Sequence, residues 1–157
     1  MQKIFEITAG SLEATAAFAK QLSAHLKPGN ILALVGELGA GKTTFVKSLA
    51  HAWGVPSKTP VTSPTFTLIQ EYPAAKGPFF HIDFYRLSKE NELSQLGLEE
   101  YFEGKGIVVV EWADRFPTLF SEKTLWIEFI VKGEKERHIH ARGTEIWRHL
   151  GREFGTT

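Results

Sequence analysis

The sequence contains no cysteine, and this absence excludes several classes of site at once. A disulfide scaffold, a cysteine-ligated zinc, an iron–sulfur cluster and a thiol nucleophile all require that residue. The chain also has no net charge, with 18 Lys and Arg against 18 Asp and Glu. A neutral protein is not expected to hold nucleic acid or anionic lipid by bulk electrostatics. Long apolar runs are lacking too, so we expect no secretory signal and no membrane-spanning segment.

Aromatic residues, by contrast, are abundant. The 157 residues include 12 Phe and 4 Trp, and 43% of the chain is hydrophobic. Such a composition favours a densely packed core over disorder. At roughly 100–200 residues per domain, the length predicts a single domain over residues 1–157.

The spacing of apolar residues predicts alternating strands and helices. Strands are predicted at 3–7, 31–35, 66–72, 79–85, 107–110, 125–131 and 137–141. Helices are predicted at 12–26 after an N-cap at Ser11, at 43–53, at 88–102 with a break at Gly97, and at 144–150. This order indicates an α/β fold with a parallel core, antiparallel strands at its margin and helices on both faces.

The segment from Gly36 to Thr43, GELGAGKT, matches the phosphate-binding pattern G-x-x-x-x-G-K-[ST]. Glycines let the backbone curl around a phosphate chain, and the following helix directs its positive end at the same anion. Lys42 is expected to reach the β- and γ-phosphates, and the Thr43 hydroxyl to bind Mg²⁺. Gly39, Ala40 and Gly41 complete the predicted phosphate contacts together with Gly36.

An enzyme with this phosphate-binding loop (P-loop) also needs a carboxylate at the end of a neighbouring buried strand. Glu111 follows four aliphatic residues and is the better match, whereas the strand before Asp83 is interrupted by His81. We assign Glu111 to the metal and Asp83 to the neighbourhood of the attacking water. The reverse assignment stays open at this point.

The segment between the P-loop helix and the next strand is rich in hydroxyl groups. Thr62, Ser63 and Thr65 flank Pro64 in the sequence VTSPTFT. In P-loop hydrolases this region can carry a hydroxyl that senses the γ-phosphate, and Thr65 is our candidate. The alternative, that these side chains only cap backbone groups of a loop, is equally open.

Two further residues have competing interpretations. Arg86 either stabilises charge on the transferred phosphoryl group or forms a surface ion pair with the Glu-rich helix. Trp112 is expected to serve packing rather than adenine stacking.

Four blocks together resemble one family: GELGAGKTTF, VTSPTFTLIQEY, HIDFYRL and VVVEWADR, in this order. They are similar to the bacterial TsaE (YjeE) family over almost the whole chain. The resemblance implies a small cytoplasmic ATPase with ATP and Mg²⁺ that serves the making of threonylcarbamoyladenosine in tRNA. It also implies TsaB–TsaD as the protein partner, which performs the transfer, with tRNA contacted only indirectly.

The same resemblance implies the roles of several site residues. Lys42, Thr43 and Thr44 would belong to the phosphate and Mg²⁺ site, Glu111 to the metal and Asp83 to the hydrolytic site. The start of the first helix near Ser11 and the loop at Gly133 would flank the nucleotide.

Three other functions compete with an ATPase. A small-molecule or nucleotide kinase shares the P-loop but needs an acceptor pocket and an Arg-bearing lid. A GTPase usually has N-K-x-D, and neither Asn30 nor Asn91 stands in such a pattern. The set formed by Thr43, Asp83 and Glu111 argues against a non-catalytic nucleotide-binding adaptor, although slow hydrolysis would make the two look alike.

The distribution of charge along the chain bears on the type of partner. Residues 88–103 hold five Glu and one Lys, whereas residues 132–152 hold six Lys and Arg and three Glu. Patches of both signs suit a protein partner better than naked RNA, although ordinary solvated faces give the same pattern.

Overall fold

The computed structural model describes residues 1–37 and 39–155. Leu38 of the predicted phosphate loop and the last two residues lie outside the described part. The strands form one sheet in the order β1-β7-β6-β2-β5-β4-β3. They are β1 (Gln2–Ala9), β2 (Ile31–Gly36), β3 (Ile69–Tyr72), β4 (Phe79–Asp83), β5 (Ile107–Glu111), β6 (Leu125–Val131) and β7 (Arg137–Gly143).

The helices lie between and after these strands. They are α1 (Leu12–Ser23), α2 (Lys42–Trp53), α3 (Glu90–Ser94), α4 (Leu98–Tyr101) and α5 (Arg148–Phe154). Short 3₁₀ segments cover Ala113–Arg115, Pro117–Leu119 and Glu145–Trp147. In the described part of the chain, no helix combines the length and the apolar character that crossing a bilayer demands.

The centre of the sheet is parallel and its margins are antiparallel. Strand β2 pairs in parallel with β5 and β6, and β5 pairs in parallel with β4. Strands β7 and β1 continue from β6 in antiparallel sense, and β3 does so from β4. This arrangement confirms the predicted α/β class.

Alternating residues of the central strands supply two separate cores. On β2, Leu32 and Leu34 pack with Phe45 and Leu49 of α2, while Ala33 packs on the opposite face. That opposite face also holds apolar residues of α4 and of the 3₁₀ segments, so helices cover both faces as predicted. Because β2 is covered on both sides, it has the continuous apolar sequence of a central parallel strand.

The predicted strand 66–72 is wrong at its start, since β3 begins only at Ile69. Before it the chain turns: the Leu68 N–H donates to the Pro64 carbonyl at 2.6 Å, and Leu68 adopts a φ of 69°. The hydroxyls of Ser63 and Thr65 bond a carboxylate on β4 instead of solvent. These contacts hold the segment in a turn that is incompatible with an extended strand.

The acidic helix predicted at 88–102 is two short helices, α3 and α4, separated by Gly97 as expected. Gly97 has a φ of 64°, a left-handed conformation that favours glycine. The other boundaries shift by a few residues: α1 ends at Ser23, and the C-terminal helix extends to Phe154.

Candidate functional site

The candidate site lies at the carboxyl ends of three parallel strands. Strand β2 ends at Gly36, β4 at Asp83 and β5 at Glu111, and in the register of the sheet Asp83 lies beside Glu111. Asp83 and Glu111 border a cavity of about 400 Å³. The cavity is lined by Leu12, Gly39, Gly41, Lys42, Thr43, Thr44, Ser63, Thr65, Asp83, Tyr85, Glu111, Trp112 and Arg137.

Gly36 and Gly41 of the phosphate-binding loop, residues 36–43, have backbone geometry that requires glycine. A Cβ on Gly36 would approach the Phe129 carbonyl oxygen to 2.8 Å. Gly41 has a φ of 98° and is the N-cap of α2. Because α2 begins at Lys42, the backbone N–H groups of its first turn are free to bind an anion at the cavity.

Lys42 is buried, with 4% of its surface exposed, yet it borders the cavity. Its Nζ donates to the Gly36 carbonyl and lies 3.7 Å from the ring centre of Trp112. Burial lowers the pKa of Lys42 from its usual value, while the negative charges of Glu111, Asp83 and Asp114 oppose that shift. A phosphate anion in the cavity would therefore add a direct charge-assisted partner for this ammonium group.

Trp112 is placed over Lys42 by an unusual backbone conformation. Directly after β5, this residue has a φ of 57°, which is uncommon for a bulky side chain. Its ring also lies 5.1 Å from the ring of Tyr85. The expectation that Trp112 serves packing is thus incomplete, because its ring forms one wall of the cavity.

Asp83 organises the hydroxyl-rich segment. Its Oδ2 accepts hydrogen bonds from Ser63 Oγ at 2.8 Å and Thr65 Oγ1 at 3.0 Å. Its Oδ1 accepts the backbone N–H of Tyr85 at 2.8 Å. The carboxylate is 2% exposed, so these donors take the place of water around its charge.

Glu111 has a buried partner that the sequence interpretation treated as an interruption. The Nε2 of His81, a fully buried residue, donates to Oε2 of Glu111 at 2.6 Å. No hydrogen bond to the other oxygen, Oε1, is formed by residues 1–37 and 39–155. Glu111 therefore borders the cavity with one oxygen fixed and the other available.

Arg137 connects the phosphate-binding loop to the loop between β6 and β7, residues 132–136. Its Nε donates to the Ala40 carbonyl at 3.1 Å and its Nη2 to the Gly39 carbonyl at 3.2 Å. From the other side, Nη1 donates to the carbonyls of Gly133 and Glu136 at 3.1 and 3.0 Å.

Not every predicted site residue borders the cavity. Ser11 caps α1 by accepting the Ala14 N–H at 3.0 Å, and its neighbour Leu12 is the one that lines the cavity. Gly133 is exposed and reaches the site only through its bond to Arg137. The remaining predicted residues either line the cavity or accept a hydrogen bond from a residue that does: Gly36, Gly39, Ala40, Gly41, Lys42, Thr43, Thr44, Thr65, Asp83 and Glu111.

Arg86 does not line this cavity. Its guanidinium lies 4.9 Å from the ring centre of Phe66, an aromatic residue that is 83% exposed. Of its two predicted roles, the phosphoryl contact gains no support from this position.

The oxygen groups of the cavity suit a Mg²⁺ ion held jointly with a phosphate chain. The Thr43 hydroxyl and the carboxylates of Asp83 and Glu111 line one space, and such oxygens are the ligands that Mg²⁺ prefers. In the described ranges no three His, Asp or Glu side chains form a group able to hold a metal on their own. Thr43, Asp83 and Glu111 are therefore the residues that could hold such an ion beside a phosphate.

Sequence reasoning missed His81, Tyr85 and Arg137. The alternation of His81 and Asp83 along one strand was a usable signal, since residues two apart share a face of the sheet. No sequence pattern identified Arg137, because its contacts join it to the phosphate-binding loop almost 100 residues earlier in the chain.

Comparison with known proteins identifies the family to which this chain is similar. Residues 9–139 match the family model described as threonylcarbamoyl adenosine biosynthesis protein TsaE. A relative from Bacillus subtilis (strain 168), named tRNA threonylcarbamoyladenosine biosynthesis protein TsaE, is 45% identical over 127 residues, covering 81% of this chain and 78% of its own. A relative of the same name from Aquifex aeolicus (strain VF5) is 43% identical over 115 residues, covering 73% of this chain and 81% of its own.

A solved structure is also similar to this chain. The crystal structure of YdiB from Bacillus subtilis matches with a TM-score of 0.80 at 34% identity, over 98% of this chain and 94% of the other. This chain therefore belongs to the TsaE family of tRNA threonylcarbamoyladenosine biosynthesis.

Proposed function

We propose that this protein binds and hydrolyses ATP with Mg²⁺ as an accessory factor in tRNA threonylcarbamoyladenosine formation. One observation carries the proposal: Lys42, at the start of α2, shares a single cavity with two buried carboxylates, Asp83 and Glu111. This combination supplies a cation for phosphate oxygens and acids for a metal and a water.

Binding rests on the phosphate-binding loop. The N–H groups at the start of α2 and the Lys42 ammonium group attract the phosphate chain, and low exposure strengthens that attraction. In this role Lys42 exchanges the Gly36 carbonyl and the Trp112 ring for phosphate oxygens. The Trp112 ring stays available as a wall of the same cavity.

The hydrogen bonds support Glu111 rather than Asp83 as the metal ligand. Both oxygens of Asp83 already accept bonds from the protein, whereas His81 engages only one oxygen of Glu111. With Thr43, Glu111 would hold Mg²⁺, whose charge would stabilise the developing charge on the phosphates.

Asp83 and the hydroxyls around it suit the orientation of the attacking water. Thr65 and Ser63 both bond Oδ2 of Asp83, so a γ-phosphate that attracts either hydroxyl would rearrange this group. The segment would thereby sense whether the nucleotide has three phosphates. We propose this rearrangement as the link between ATP hydrolysis and partner binding.

The partner that we propose is TsaB–TsaD, in the cytoplasm, with tRNA engaged only through that complex. Family membership supports the pathway. The neutral chain, with acidic residues at 88–103 and basic residues at 132–152, supports a protein partner over direct RNA binding. Pull-down with TsaB and TsaD in ATP, in ADP and without nucleotide tests this part: equal recovery in all three would reject a nucleotide-coupled partner.

Phosphate release measured without any added acceptor tests the activity. The proposal predicts slow, Mg²⁺-dependent release from ATP that Asp83→Asn abolishes while ATP still binds. A small-molecule or nucleotide kinase would be nearly silent until an acceptor is added. Silence with and without TsaB–TsaD would reject ATP hydrolysis.

A further inference from the structure

The guanidinium group of Arg137 lies where two loops meet at the wall of the cavity. Arg137 is the first residue of β7 and is 8% exposed. All of its bonds go to backbone carbonyls: Gly39 and Ala40 of the phosphate-binding loop, and Gly133, Glu134 and Glu136 of the β6–β7 loop. A planar group with donors in a fixed fork suits this task, which a lysine could not perform in the same way.

These bonds set the orientation of a peptide plane in the phosphate-binding loop. Because a peptide is planar and trans, an Ala40 carbonyl held toward Arg137 directs the Gly41 N–H the opposite way. Gly41 lines the cavity and precedes α2 directly, so this N–H belongs to the group that would bind phosphate. Arg137 therefore controls the direction of a donor through the backbone, from its own place in the lining of the cavity.

The charge of Arg137 adds a second observation. Within residues 1–37 and 39–155, no carboxylate lies at ion-pair distance from its guanidinium. A buried cation that only carbonyls solvate raises the affinity of the adjoining space for anions.

We propose that Arg137 is a positioning residue that holds the phosphate-binding loop in its nucleotide-binding conformation and couples that loop to the β6–β7 loop. This inference rests on the proposed function, since it assumes that the loop binds nucleotide phosphates. It would also give Gly133, which does not border the cavity, an indirect route to the nucleotide, because its carbonyl is one anchor of the same side chain.

The test compares Arg137→Gln and Arg137→Lys with Arg142→Gln, which removes an exposed arginine from the same strand outside the cavity. Dissociation constants for ADP and ATP with Mg²⁺ are measured by calorimetry. Hydrogen exchange is followed in peptides covering 36–43 and 132–136. Melting temperatures report whether each variant folds, and Lys42→Ala serves as the reference for a damaged phosphate site.

Arg137→Gln should weaken both nucleotides by about tenfold or more and speed exchange in both loops together. Arg137→Lys should give a smaller loss of affinity but equally fast exchange, because it keeps the charge and loses the fork. If Arg137→Gln does not fold, Arg137→Lys decides through the same two measurements. Arg142→Gln should match the wild type.

Two results would separate failure of this inference from failure of the proposed function. Wild-type binding that Lys42→Ala abolishes, with Arg137 variants equal to Arg142→Gln in affinity and exchange, overturns the role of Arg137 alone. Absence of ADP and ATP binding by the wild type overturns both.

Discussion

Nε2 of His81 lies 2.6 Å from Oε2 of Glu111, and both side chains are buried beside the candidate nucleotide cavity. The two residues are on neighbouring parallel strands, where Asp83 pairs with Glu111 and His81 pairs with Val109. A short bond to a rigid imidazole fixes the carboxylate in one rotamer. His81 is thus placed to aim the remaining oxygen of Glu111 at a metal ion.

Replacing His81 tests this relationship. His81→Phe should raise the Mg²⁺ concentration needed for half-maximal ATP hydrolysis by about tenfold or more, because loss of a hydrogen-bond partner of a metal ligand typically lowers metal affinity by about 10–100-fold. His81→Gln, whose amide can still donate to Glu111, should restore part of that loss. A Mg²⁺ dependence in folded His81→Phe identical to the wild type would contradict the role.

Lys42 should show a trade-off between stability and binding. Because burial lowers its pKa in the fold, its positive charge disfavours folding at neutral pH, and this penalty fades as pH rises through the folded-state pKa toward the unfolded value. Lys42→Met keeps the apolar stem and removes the charge. We expect unchanged or higher thermal stability at pH 7, together with loss of ATP affinity.

Melting curves and nucleotide titrations of the same preparation check both halves of this prediction. Lys47→Met, an exposed position on the same helix, is the matched control. A large fall in melting temperature for Lys42→Met alone would show that the ammonium group stabilises the nucleotide-free protein instead.

The hydroxyl of Thr65 should matter for hydrolysis more than for binding. Thr65→Val removes one of the two hydroxyl donors to Oδ2 of Asp83 at nearly constant volume. We expect kcat to fall by about tenfold, a typical cost of losing one orienting hydrogen bond, while the ATP dissociation constant changes little. Thr67→Val, at an exposed position of the same segment, should leave both quantities unchanged.

Gly36 should tolerate no side chain. A Cβ there would lie 2.8 Å from the Phe129 carbonyl oxygen, so Gly36→Ala should lower the free energy of unfolding by about 1–3 kcal/mol. Gly10→Ala is the control, because a Cβ at Gly10 meets no atom within 4 Å. Denaturant unfolding of the two variants measures the difference, and equal stability would contradict the close packing of β2 against β6.

The fold followed from the sequence because its central signals are local. The run of apolar residues at 31–35 is visible as a buried strand, and GELGAGKT after it marks a strand–loop–helix unit. Residues 66–68 differ from the prediction. Their residue types favour a strand, but the hydrogen bond from Thr65 to Asp83, 18 residues further along the chain, holds the segment in a turn. Propensity carries no information about such a contact.

The candidate site also divides into residues that the sequence predicts and residues that depend on long-range contacts. Asp83 and Glu111 are the last residues of their strands and Lys42 begins the helix that follows β2, so topology alone brings them together. Two residues that fix the site do not follow from topology in this way. His81 lies inside a strand, and Arg137 acts across the fold through backbone carbonyls, which have no residue identity in the sequence.

Calorimetric titration of the protein with ATP in the presence of Mg²⁺ decides whether the cavity binds nucleotide phosphates. We expect saturable binding of one nucleotide per chain that Lys42→Ala abolishes and that ADP competes away. Wild-type protein that is folded yet takes up no ATP, or binds it as well with Ala at position 42, would contradict the assignment of this cavity to nucleotide phosphates.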